Sequence, residues 1–210
     1  MKKITMLFAA VVAMFGMKAN AQLVNDTEGW TRVEASFAVQ SLGDNDPLKT
    51  KGFELGYIKG INLTTNLPLF LELGGQLAWT HKKDSYEVVN QDIDIKYTFM
   101  SLAIPVNVAY KFAFSSSDNF TIVPFVGPNF KFNLIGKEKV DDEKISYFDE
   151  DDMGKDNTAR RFQVGLNLGV GVNISQKLYV GYRFQPDFMH YFDNDEAKSH
   201  ANYITLGINF

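Results

Sequence analysis

Cysteine is absent from this 210-residue sequence, and histidine and proline are scarce, at three and six residues. Without cysteine the chain can form no disulfide, no thiolate metal site and no lipid-modified N-terminal cysteine. Runs of about 18 or more apolar residues are also missing, which excludes a helical membrane protein. A membrane β-barrel is compatible with this composition, because its strands need only about 10 residues with apolar side chains at alternate positions.

The N-terminal residues have the form of an export signal. Two lysines precede 14 uncharged residues, Ile4 to Met17, and a small-x-small motif then ends at Ala21. The last motif has the form of a signal peptidase site, and the three features together are those of a secretory signal peptide. We therefore predict cleavage between Ala21 and Gln22, which divides the chain into a signal peptide, 1–21, and one mature domain, 22–210. The alternative, a membrane anchor, needs a longer apolar run of about 20 residues.

The predicted mature chain is acidic. Cleavage removes three lysines and no acid, which leaves 18 basic against 25 acidic residues and a formal net charge of −7. A net basic surface of the kind that binds nucleic acid is therefore absent. The 45% hydrophobic and 22% charged content is that of one ordinary domain with enough apolar residues for a sizeable core.

Alternation of apolar and polar residues is the main pattern of the mature chain, and no helical stripe of comparable length competes with it. The pattern predicts eight strands, at residues 31–41, 51–62, 68–80, 94–111, 119–134, 160–174, 177–189 and 201–210. Several apolar stripes run for about 10 residues or more, which is the length of a tilted membrane strand and exceeds the usual 5 or 6 residues of soluble sheets.

The sixth strand indicates which way the apolar face points. Its aliphatic positions alternate with Gln163, Gly165, Asn167, Gly169, Gly171 and Asn173. Glycine weakens a strand and is not favoured on a solvent-facing surface, so it indicates crowding on this second face. A narrow barrel with lipid outside and a polar lumen accounts for both faces. We therefore predict an all-β fold, an eight-stranded antiparallel up-and-down transmembrane β-barrel.

The predicted connections alternate in length. Those at 63–67, 112–118 and 175–176 are short, and those at 42–50, 81–93, 135–159 and 190–200 are long. Outer-membrane barrels combine short periplasmic turns with long external loops, so the even strand count puts both termini in the periplasm. Aromatic residues near the strand ends predict two interfacial girdles, Trp79, Tyr97 and Phe99 toward the loops and Tyr110, Phe112, Phe120 and Phe210 toward the turns.

Four segments carry a family resemblance. They are SLAIPVNVAYKF at 101–112, IVPFVGPNF at 122–130, VGLNLGVGVNI at 164–174 and the closing YITLGINF. Together they resemble the PorT-like outer-membrane β-barrel domain of Bacteroidetes-type bacteria over nearly the whole mature chain. The resemblance implies an eight-stranded barrel in a Gram-negative outer membrane, and the named member of the family contributes to a gliding-associated secretion pathway. The residues Leu206, Ile208 and Phe210 resemble the C-terminal signal that the outer-membrane assembly machinery recognises.

Charged residues also occur on the polar face of the strands. They are Glu34, Glu54, Glu72, Lys111, Lys131 and Arg183. Charges inside a narrow barrel must be paired or hydrated, because removing one partner of a buried pair costs about 3–5 kcal/mol. We predict that they form a lumen charge network that plugs the barrel. The alternative, a selective pore, conflicts with the interior of a barrel of about eight strands, which side chains fill.

The histidines His81, His190 and His200 fall near the predicted loop end, where a lipid-modifying enzyme would keep a catalytic histidine. Nucleophilic catalysis also needs a serine and an orienting acid, and Ser199 precedes His200 with three acids within 193–196. No nucleophile elbow accompanies them. Interfacial or loop histidines are therefore the favoured interpretation, and no catalytic residue is assigned.

The segment 141–156 is rich in acids. Asp149, Asp151 and Gly154 match three positions of the EF-hand loop, but Met153 occupies a position that needs an acid or amide. The bidentate glutamate of that pattern is also replaced, by an arginine. We predict a solvated acidic loop, and no metal or cofactor is assigned.

These patterns predict a non-enzymatic outer-membrane protein with acidic extracellular loops and a structural or interaction role in the cell envelope, including a secretion assembly. The expected partners are outer-membrane lipids and lipopolysaccharide, the assembly machinery, and other envelope or secretion proteins. Two alternatives stay open: a lipid-modifying enzyme that uses a loop-end histidine, and a soluble, lipocalin-like periplasmic binder with its apolar face inward. Arg160 and Arg161 are suited either to hold lipid phosphates or to neutralise the acidic loop.

Overall fold

The alternating pattern folds into long antiparallel strands in the computed structural model of the chain. The structure describes residues 27–43, 47–88, 91–113, 120–141, 143–154, 158–192 and 198–210, with backbone alone at 87–88 and 91–92. The predicted signal peptide, with Ala21 and Gln22, lies outside the described residues.

Among the described residues, eight strands are long and two are short. The long strands are β1 (Trp30–Leu42), β2 (Leu48–Asn62), β3 (Leu69–Val88), β4 (Gln91–Tyr110), β6 (Phe120–Val140), β8 (Phe162–Ile174), β9 (Leu178–His190) and β10 (Lys198–Asn209). The short strands are β5 (Phe112–Ala113) and β7 (Glu143–Ser146), and one short helix, α1, spans Glu150–Met153. None of the described helical residues forms a helix long and apolar enough to cross a membrane.

The long strands close into a ring. Each pairs antiparallel with its neighbours in the order β1-β2-β3-β4-β6-β8-β9-β10, and β10 returns to β1 through pairs such as Val33↔Ile208. The pairing of β4 with β6 completes the circuit, while β5 extends the same edge of β6 and β7 adds a short strand beyond it. The predicted eight-stranded antiparallel β-barrel is confirmed.

The two faces of the barrel wall have opposite chemistry. On β2, Phe53 is 66% exposed while the next residue, Glu54, is 1% exposed, and the same alternation runs along the other long strands. Large apolar side chains therefore point outward and polar side chains fill the lumen. A lipocalin-like binder needs the reverse arrangement, with an apolar interior around its ligand.

Glycines on the lumen face of β8 make room for aromatic rings. A Cβ added at Gly171 would overlap the ring of Tyr179, and one added at Gly169 would overlap the ring of Phe125. The crowding that the sequence indicated on this face is present, and it comes from aromatic side chains of the neighbouring strands β9 and β6.

Most of one predicted long loop, 81–93, and part of another, 135–159, are strand. β3 continues to Val88 and β4 begins at Gln91, so most of 81–93 is a paired hairpin, and β6 continues to Val140 before β7. The prediction failed because it ended each strand where the apolar residues end. Backbone hydrogen bonds continue past that point, since polar side chains can occupy both faces of a strand that lies in water. We call the resulting extension of β3, β4, β6 and β7 the external sheet.

An apolar cluster lies at each end of the lumen. At the end with the 63–68 and 175–177 connections, the turn end, the cluster consists of Trp30, Phe70, Ala109, Val123 and Phe125. At the opposite or loop end it consists of Leu42, Phe99, Tyr147, Ala159 and Tyr191. Phe99 was predicted as an outward girdle residue, and this is wrong: it shares the inward phase of Ala103 and is 7% exposed.

Candidate functional site

The middle of the lumen holds a set of ion pairs contributed by four strands. Arg32 and Glu34 lie on β1, Glu54 on β2, Glu72 on β3 and Arg183 on β9, and all five are at most 4% exposed. Arg32 donates from Nε to Glu34 Oε2 at 2.7 Å and from Nη2 to Glu72 Oε1 at 3.1 Å. Arg183 Nη2 donates to Glu54 Oε1 at 2.6 Å. We call these five residues the central charge cluster.

Neutral side chains also donate hydrogen bonds to the carboxylates of this cluster. Gln76 Nε2 donates to Glu34 at 2.9 Å, Asn107 Nδ2 to Glu72 at 3.4 Å, and Ser36 Oγ to Glu54 at 3.4 Å. Each guanidinium also stacks on a tyrosine ring, with Arg32 3.7 Å from the Tyr179 centroid and Arg183 4.0 Å from that of Tyr203. This arrangement suits arginine, whose planar fork serves several acceptors and an aromatic face at once.

A second ion pair lies nearer the loop end. Lys131 on β6 donates from Nζ to Asp187 Oδ2 on β9, and both side chains are almost fully buried. Uncharged amides occupy neighbouring lumen positions, since Gln163 is the cross-strand partner of Lys131 and Gln185 lies two residues before Asp187. In the described part of the chain, both amide atoms of Asn129 and Gln163, Gln185 Oε1 and Asp187 Oδ1 have no hydrogen-bond partner. We call Lys131 and Asp187 the loop-side pair.

The structure separates the six predicted lumen charges into three places. Glu34, Glu54, Glu72 and Arg183 belong to the central charge cluster, and Lys131 belongs to the loop-side pair. Lys111 is buried at the turn end, beside a cavity of about 210 Å³ that Trp30 also lines. The sequence reasoning missed Arg32 and Asp187, although each falls on the inward phase of its strand, two residues from Glu34 and four from Arg183.

The lumen is filled at its centre. The cavity beside Arg32, Glu34 and Arg183 has a volume of about 10 Å³, which is room for about one water molecule. Within the part of the chain that the structure describes, the central side chains lie between an apolar cluster at the turn end and another at the loop end.

His200 and Ser199 do not form a catalytic arrangement in the structure. Ser199 is 2% exposed and faces the lumen, where its Oγ accepts from Gln40 Nε2 at 3.2 Å. His200 is the next residue of the same strand, so its side chain lies on the opposite, outward face, 6.0 Å from the Phe184 ring. The acids within 193–196 lie outside the described residues.

Part of the acidic segment 141–156 is folded against the barrel mouth. Tyr147 stacks on Phe99 with ring centroids 5.9 Å apart, and its hydroxyl donates to Glu138 Oε2 at 2.9 Å. Burial, reinforced by the Glu138 carboxylate, raises the pKa of the Tyr147 phenol well above its usual value. The predicted fully solvated loop is therefore corrected: its aromatic residue anchors it to the loop-end cluster.

The acids of this segment form local contacts. Asp149 caps α1 by accepting from the backbone N–H of Asp151 at 3.0 Å, and Asp152 accepts from the backbone N–H of Ser146 at 2.6 Å. Within the residues described, no group of three or more metal-ligating side chains is placed to hold an ion. Arg161 follows this segment in the chain, and its guanidinium lies 4.6 Å from the centroid of the Phe148 ring.

The last strand presents its apolar residues to the outside. Leu206, Ile208 and Phe210 are 58%, 55% and 80% exposed, and Phe210 exchanges backbone hydrogen bonds with Thr31 of β1. These three residues therefore lie on the outer surface at the seam where the first and last strands meet.

Several solved structures of outer-membrane proteins are similar to this chain. Ail of Yersinia pestis, solved with the heparin analogue sucrose octasulfate, is 15% identical at a TM-score of 0.48, covering 87% of this chain and 99% of Ail. Neisserial surface protein A is 14% identical at 0.44, covering 85% and 95%. The N-terminal β-barrel domain of OprF from Pseudomonas aeruginosa is 13% identical at 0.40, covering 87% and 100%.

No curated protein sequence matches the chain. A family model, described as the outer membrane protein beta-barrel domain, matches residues 7–210, which is nearly the full length. The chain therefore belongs to the outer membrane protein beta-barrel domain family.

Proposed function

We propose that this chain is a non-enzymatic outer-membrane protein whose plugged barrel serves as a membrane anchor for its loop-end surface. That surface has a structural or interaction role in the cell envelope or in a secretion assembly. The observation that carries the proposal is the pairing of an apolar outer wall with a lumen closed by the central charge cluster. Such a barrel is suited to holding a surface in place and not to passing solutes.

The outer wall supports membrane insertion. Exposed apolar residues recur around the ring, among them Val33 and Phe37 on β1, Leu55 on β2, Trp79 on β3 and Ile204 on β10. A monomeric soluble protein rarely exposes an apolar patch larger than a few hundred Å², whereas lipid covers such a band in a membrane barrel.

Insertion can be tested with one substitution and a matched control. Leu168→Arg places a charge on the outward face of β8, and near the bilayer midplane this costs about 2–4 kcal/mol. Thr98→Arg places the same side chain on the outward phase of β4, beyond the apolar band. We expect Leu168→Arg to reduce the folded fraction in vesicles, measured as the fast-migrating band in unboiled gel samples, and Thr98→Arg to resemble wild type. Equal folding of both variants would contradict the membrane placement.

The closed lumen makes the proposed anchor non-conducting. We expect purified protein in planar bilayers to show no steady single-channel currents. Reproducible conductance steps that change on Arg183→Gln would instead support a pore that opens through the central charge cluster.

The absence of enzymatic activity is also part of the proposal. It is supported by the opposite orientations of Ser199 and His200 on β10. Lipid A mass spectra should be identical in cells with and without the gene. A modified lipid A species that disappears with the gene and with His200→Ala would overturn the non-enzymatic assignment.

The proposed biogenesis follows from the two ends of the sequence. We infer that export removes residues 1–21 at the Ala21–Gln22 bond, that both termini lie in the periplasm, and that Leu206, Ile208 and Phe210 are read by the assembly machinery. The outward position of these three side chains at the β1–β10 seam supports the last step. N-terminal sequencing of the outer-membrane form should begin at Gln22, and deleting Phe210 should lower the assembled amount.

The finer proposal is a PorT-like role, as the segments at 101–112 and 122–130 suggest. A comparison of secreted and surface proteomes with and without the gene tests it. Broad loss of exported cargo, restored by the wild-type gene, would support a role in secretion. An unchanged profile would contradict that role and favour a stand-alone envelope barrel.

A further inference from the structure

The cross-strand pairing of the barrel wall is interrupted at prolines. Among the described strand pairs, three interruptions leave the register unchanged, and each contains a proline: Pro105 between β3 and β4, Pro128 between β4 and β6, and Pro186 between β8 and β9. Proline has no backbone N–H, so in the middle of a sheet it removes a ladder hydrogen bond. The prolines therefore mark places where neighbouring strands are held less firmly.

The interruption between β8 and β9 separates two strands that are each held on their other side. Pairing stops after Gly165↔Asp187 and resumes three residues later on each strand, in the same register. The two intervening residues of β8 pair with β6, and those of β9 pair with β10. We call the four residues without a partner across this interruption the β8–β9 seam: Leu166, Asn167, Gln185 and Pro186.

The lumen side of the seam carries oxygens without partners. Asn167 and Gln185 point inward and are at most 2% exposed, and in the described part of the chain Asn167 Oδ1 and Gln185 Oε1 have no hydrogen-bond partner. The same holds for Asp187 Oδ1, whereas Asp187 Oδ2 accepts from Lys131. A Cβ added at Gly165 would lie 2.8 Å from Asp187 Oδ1. This oxygen therefore lies over the glycine, next to the seam.

The chemistry of these atoms indicates a neutral partner with a hydroxyl group. A buried polar atom without a hydrogen bond is costly, and amide and carboxylate oxygens need a donor. The loop-side pair already balances one positive and one negative charge, so an added cation would leave an uncompensated charge in the lumen. A hydroxyl is neutral, donates to an oxygen and can accept from Gln163 Nε2, which also lacks a partner among the described residues.

The outer side of the seam faces the apolar surface of the wall. Leu166 and Pro186 are half-buried there, and Phe188, the next outward residue of β9 toward the loop end, is 59% exposed. An acyl chain in a bilayer would lie against this surface. In the described part of the chain, both ends of the lumen hold apolar clusters, which do not favour entry of a polar group. The seam therefore offers a route from the lipid side to the unpartnered oxygens.

We propose that the β8–β9 seam binds a hydroxylated acyl chain of a membrane lipid. The chain lies beside Phe188, and its hydroxyl enters the seam, donates to Asp187 Oδ1 and accepts from Gln163 Nε2. Pro186 lies about 7 Å along the strand from Phe188, or about 5 Å in height for a strand tilted by ~45°, so the hydroxyl belongs near the polar end of the chain. The inference rests on the proposed membrane placement and adds a lipid site to it.

The first test measures selectivity between two lipids that differ by one oxygen atom. The protein is folded in a dimethylamine oxide detergent, which carries no hydroxyl, and mixed with equal amounts of 3-hydroxytetradecanoic acid and tetradecanoic acid. Native mass spectrometry then compares the two adducts. We expect wild type to favour the hydroxylated chain by about tenfold, as for a hydrogen bond to a charged acceptor. Equal amounts of the two adducts would overturn the inference.

Two variants separate the seam from the rest of the lumen. Gln163→Leu removes the amide that donates to the hydroxyl, and both of its polar atoms lack a partner among the described residues. Thr50→Val, on β2 across the barrel, is the control for a lost buried polar group. With both proteins verified as folded by unboiled gel migration, Gln163→Leu should lose the selectivity severalfold and Thr50→Val should keep it. Full selectivity in Gln163→Leu, or an equal loss in both variants, would contradict a site at the seam.

A reversible disulfide tests entry through the seam. The chain has no cysteine of its own, so Leu166→Cys/Pro186→Cys places one pair across the seam. Val170→Cys/Tyr182→Cys places a matched pair where β8 and β9 are paired. Oxidation should abolish the selectivity of the seam pair, reduction should restore it, and the control pair should be selective in both states. Selectivity that does not change when the seam pair is oxidised would overturn the proposed route.

The source of the hydroxyl is tested by competition. An alkyl glucoside should not displace the hydroxylated chain at equal concentration. Displacement would assign the seam to a sugar headgroup and overturn the acyl-chain site, while leaving the proposed function intact. Failure of wild type to insert into vesicles would instead contradict the proposed function itself.

Discussion

The two ion-pair sites of the lumen are built differently. In the central charge cluster, Arg32 and Arg183 each combine carboxylate contacts with a stacked tyrosine ring. In the loop-side pair, Lys131 meets Asp187 alone, among amides whose polar atoms have no partner in the described residues. The comparison shows that a guanidinium fork can tie three strands together, whereas an ammonium group joins two.

This difference has a consequence for stability. Truncating Arg32 leaves Glu34 and Glu72 without their main cation, in a space that has room for about one water molecule. Truncating the lysine of the loop-side pair leaves one carboxylate beside amides that can reorient to donate to it. The central charge cluster should therefore be the more sensitive of the two sites.

Arg32→Met should have the largest effect. It removes the contacts to both Glu34 and Glu72, and an uncompensated buried charge costs about 3–5 kcal/mol. The loss of stability is measured by urea unfolding of the barrel in vesicles, with gel migration as the readout. Lys59→Met, at an exposed outward position, is the control for removing a charge. If the two variants unfold at the same urea concentration, the central charge cluster does not stabilise the barrel.

Lys131→Met should lower the free energy of unfolding by about half as much as Arg32→Met. The neighbouring amides of Asn129 and Gln163 can donate hydrogen bonds to the Asp187 carboxylate in place of the lysine. The double variant Lys131→Met/Asp187→Leu should recover most of that loss, since replacing a whole buried ion pair by apolar residues is often neutral. The same urea assay, applied also to Asp187→Leu alone, gives the coupling energy between the two substituted positions. A double variant less stable than the single one would show that the loop-side pair cannot be exchanged for apolar packing.

Gly171→Ala tests the central charge cluster indirectly. The added methyl group would overlap Tyr179, the ring on which Arg32 stacks, and overpacking of this kind costs about 1–3 kcal/mol. Gly75→Ala is a matched control, because a Cβ there has no heavy atom within 4 Å among its described neighbours. Equal stability of the two alanine variants would mean that the Tyr179 ring can move aside without disturbing Arg32.

The sequence was sufficient to predict which face of its strand each lumen charge lies on, but not which residue it pairs with. A two-residue period tells which side chains point inward, and Glu34, Glu54, Glu72 and Arg183 all followed it. Contacts across a barrel depend on strand stagger as well, which the period does not contain. For this reason the period could not predict the pairing of Lys131 with Asp187 or the position of Lys111 at the turn end.

The strand ends were wrongly predicted for a different reason. The apolar pattern ends near Trp79 on β3, yet backbone pairing continues to Val88. The same reasoning placed Phe99 in a girdle, because an aromatic residue near the end of a strand resembles an interfacial one. Its inward phase, shared with Ala103, was the signal that would have placed it in the loop-end cluster.

Tyr147→Phe should have the smallest effect on stability. It tests whether the loop-end cluster stabilises the barrel in addition to the loop-side pair. Loss of the 2.9 Å hydrogen bond to Glu138 should cost about 0.5–1.5 kcal/mol at pH 7. The pKa of the phenol is raised in the folded state, so its contribution is complete below the unfolded pKa of about 10 and is lost as pH rises toward the folded value. The stability difference between wild type and Tyr147→Phe should therefore narrow in urea unfolding above pH 10. A difference that is constant from pH 7 to pH 11 would show that the Tyr147 hydroxyl ionises equally in both states and that the mouth of the barrel is open to water.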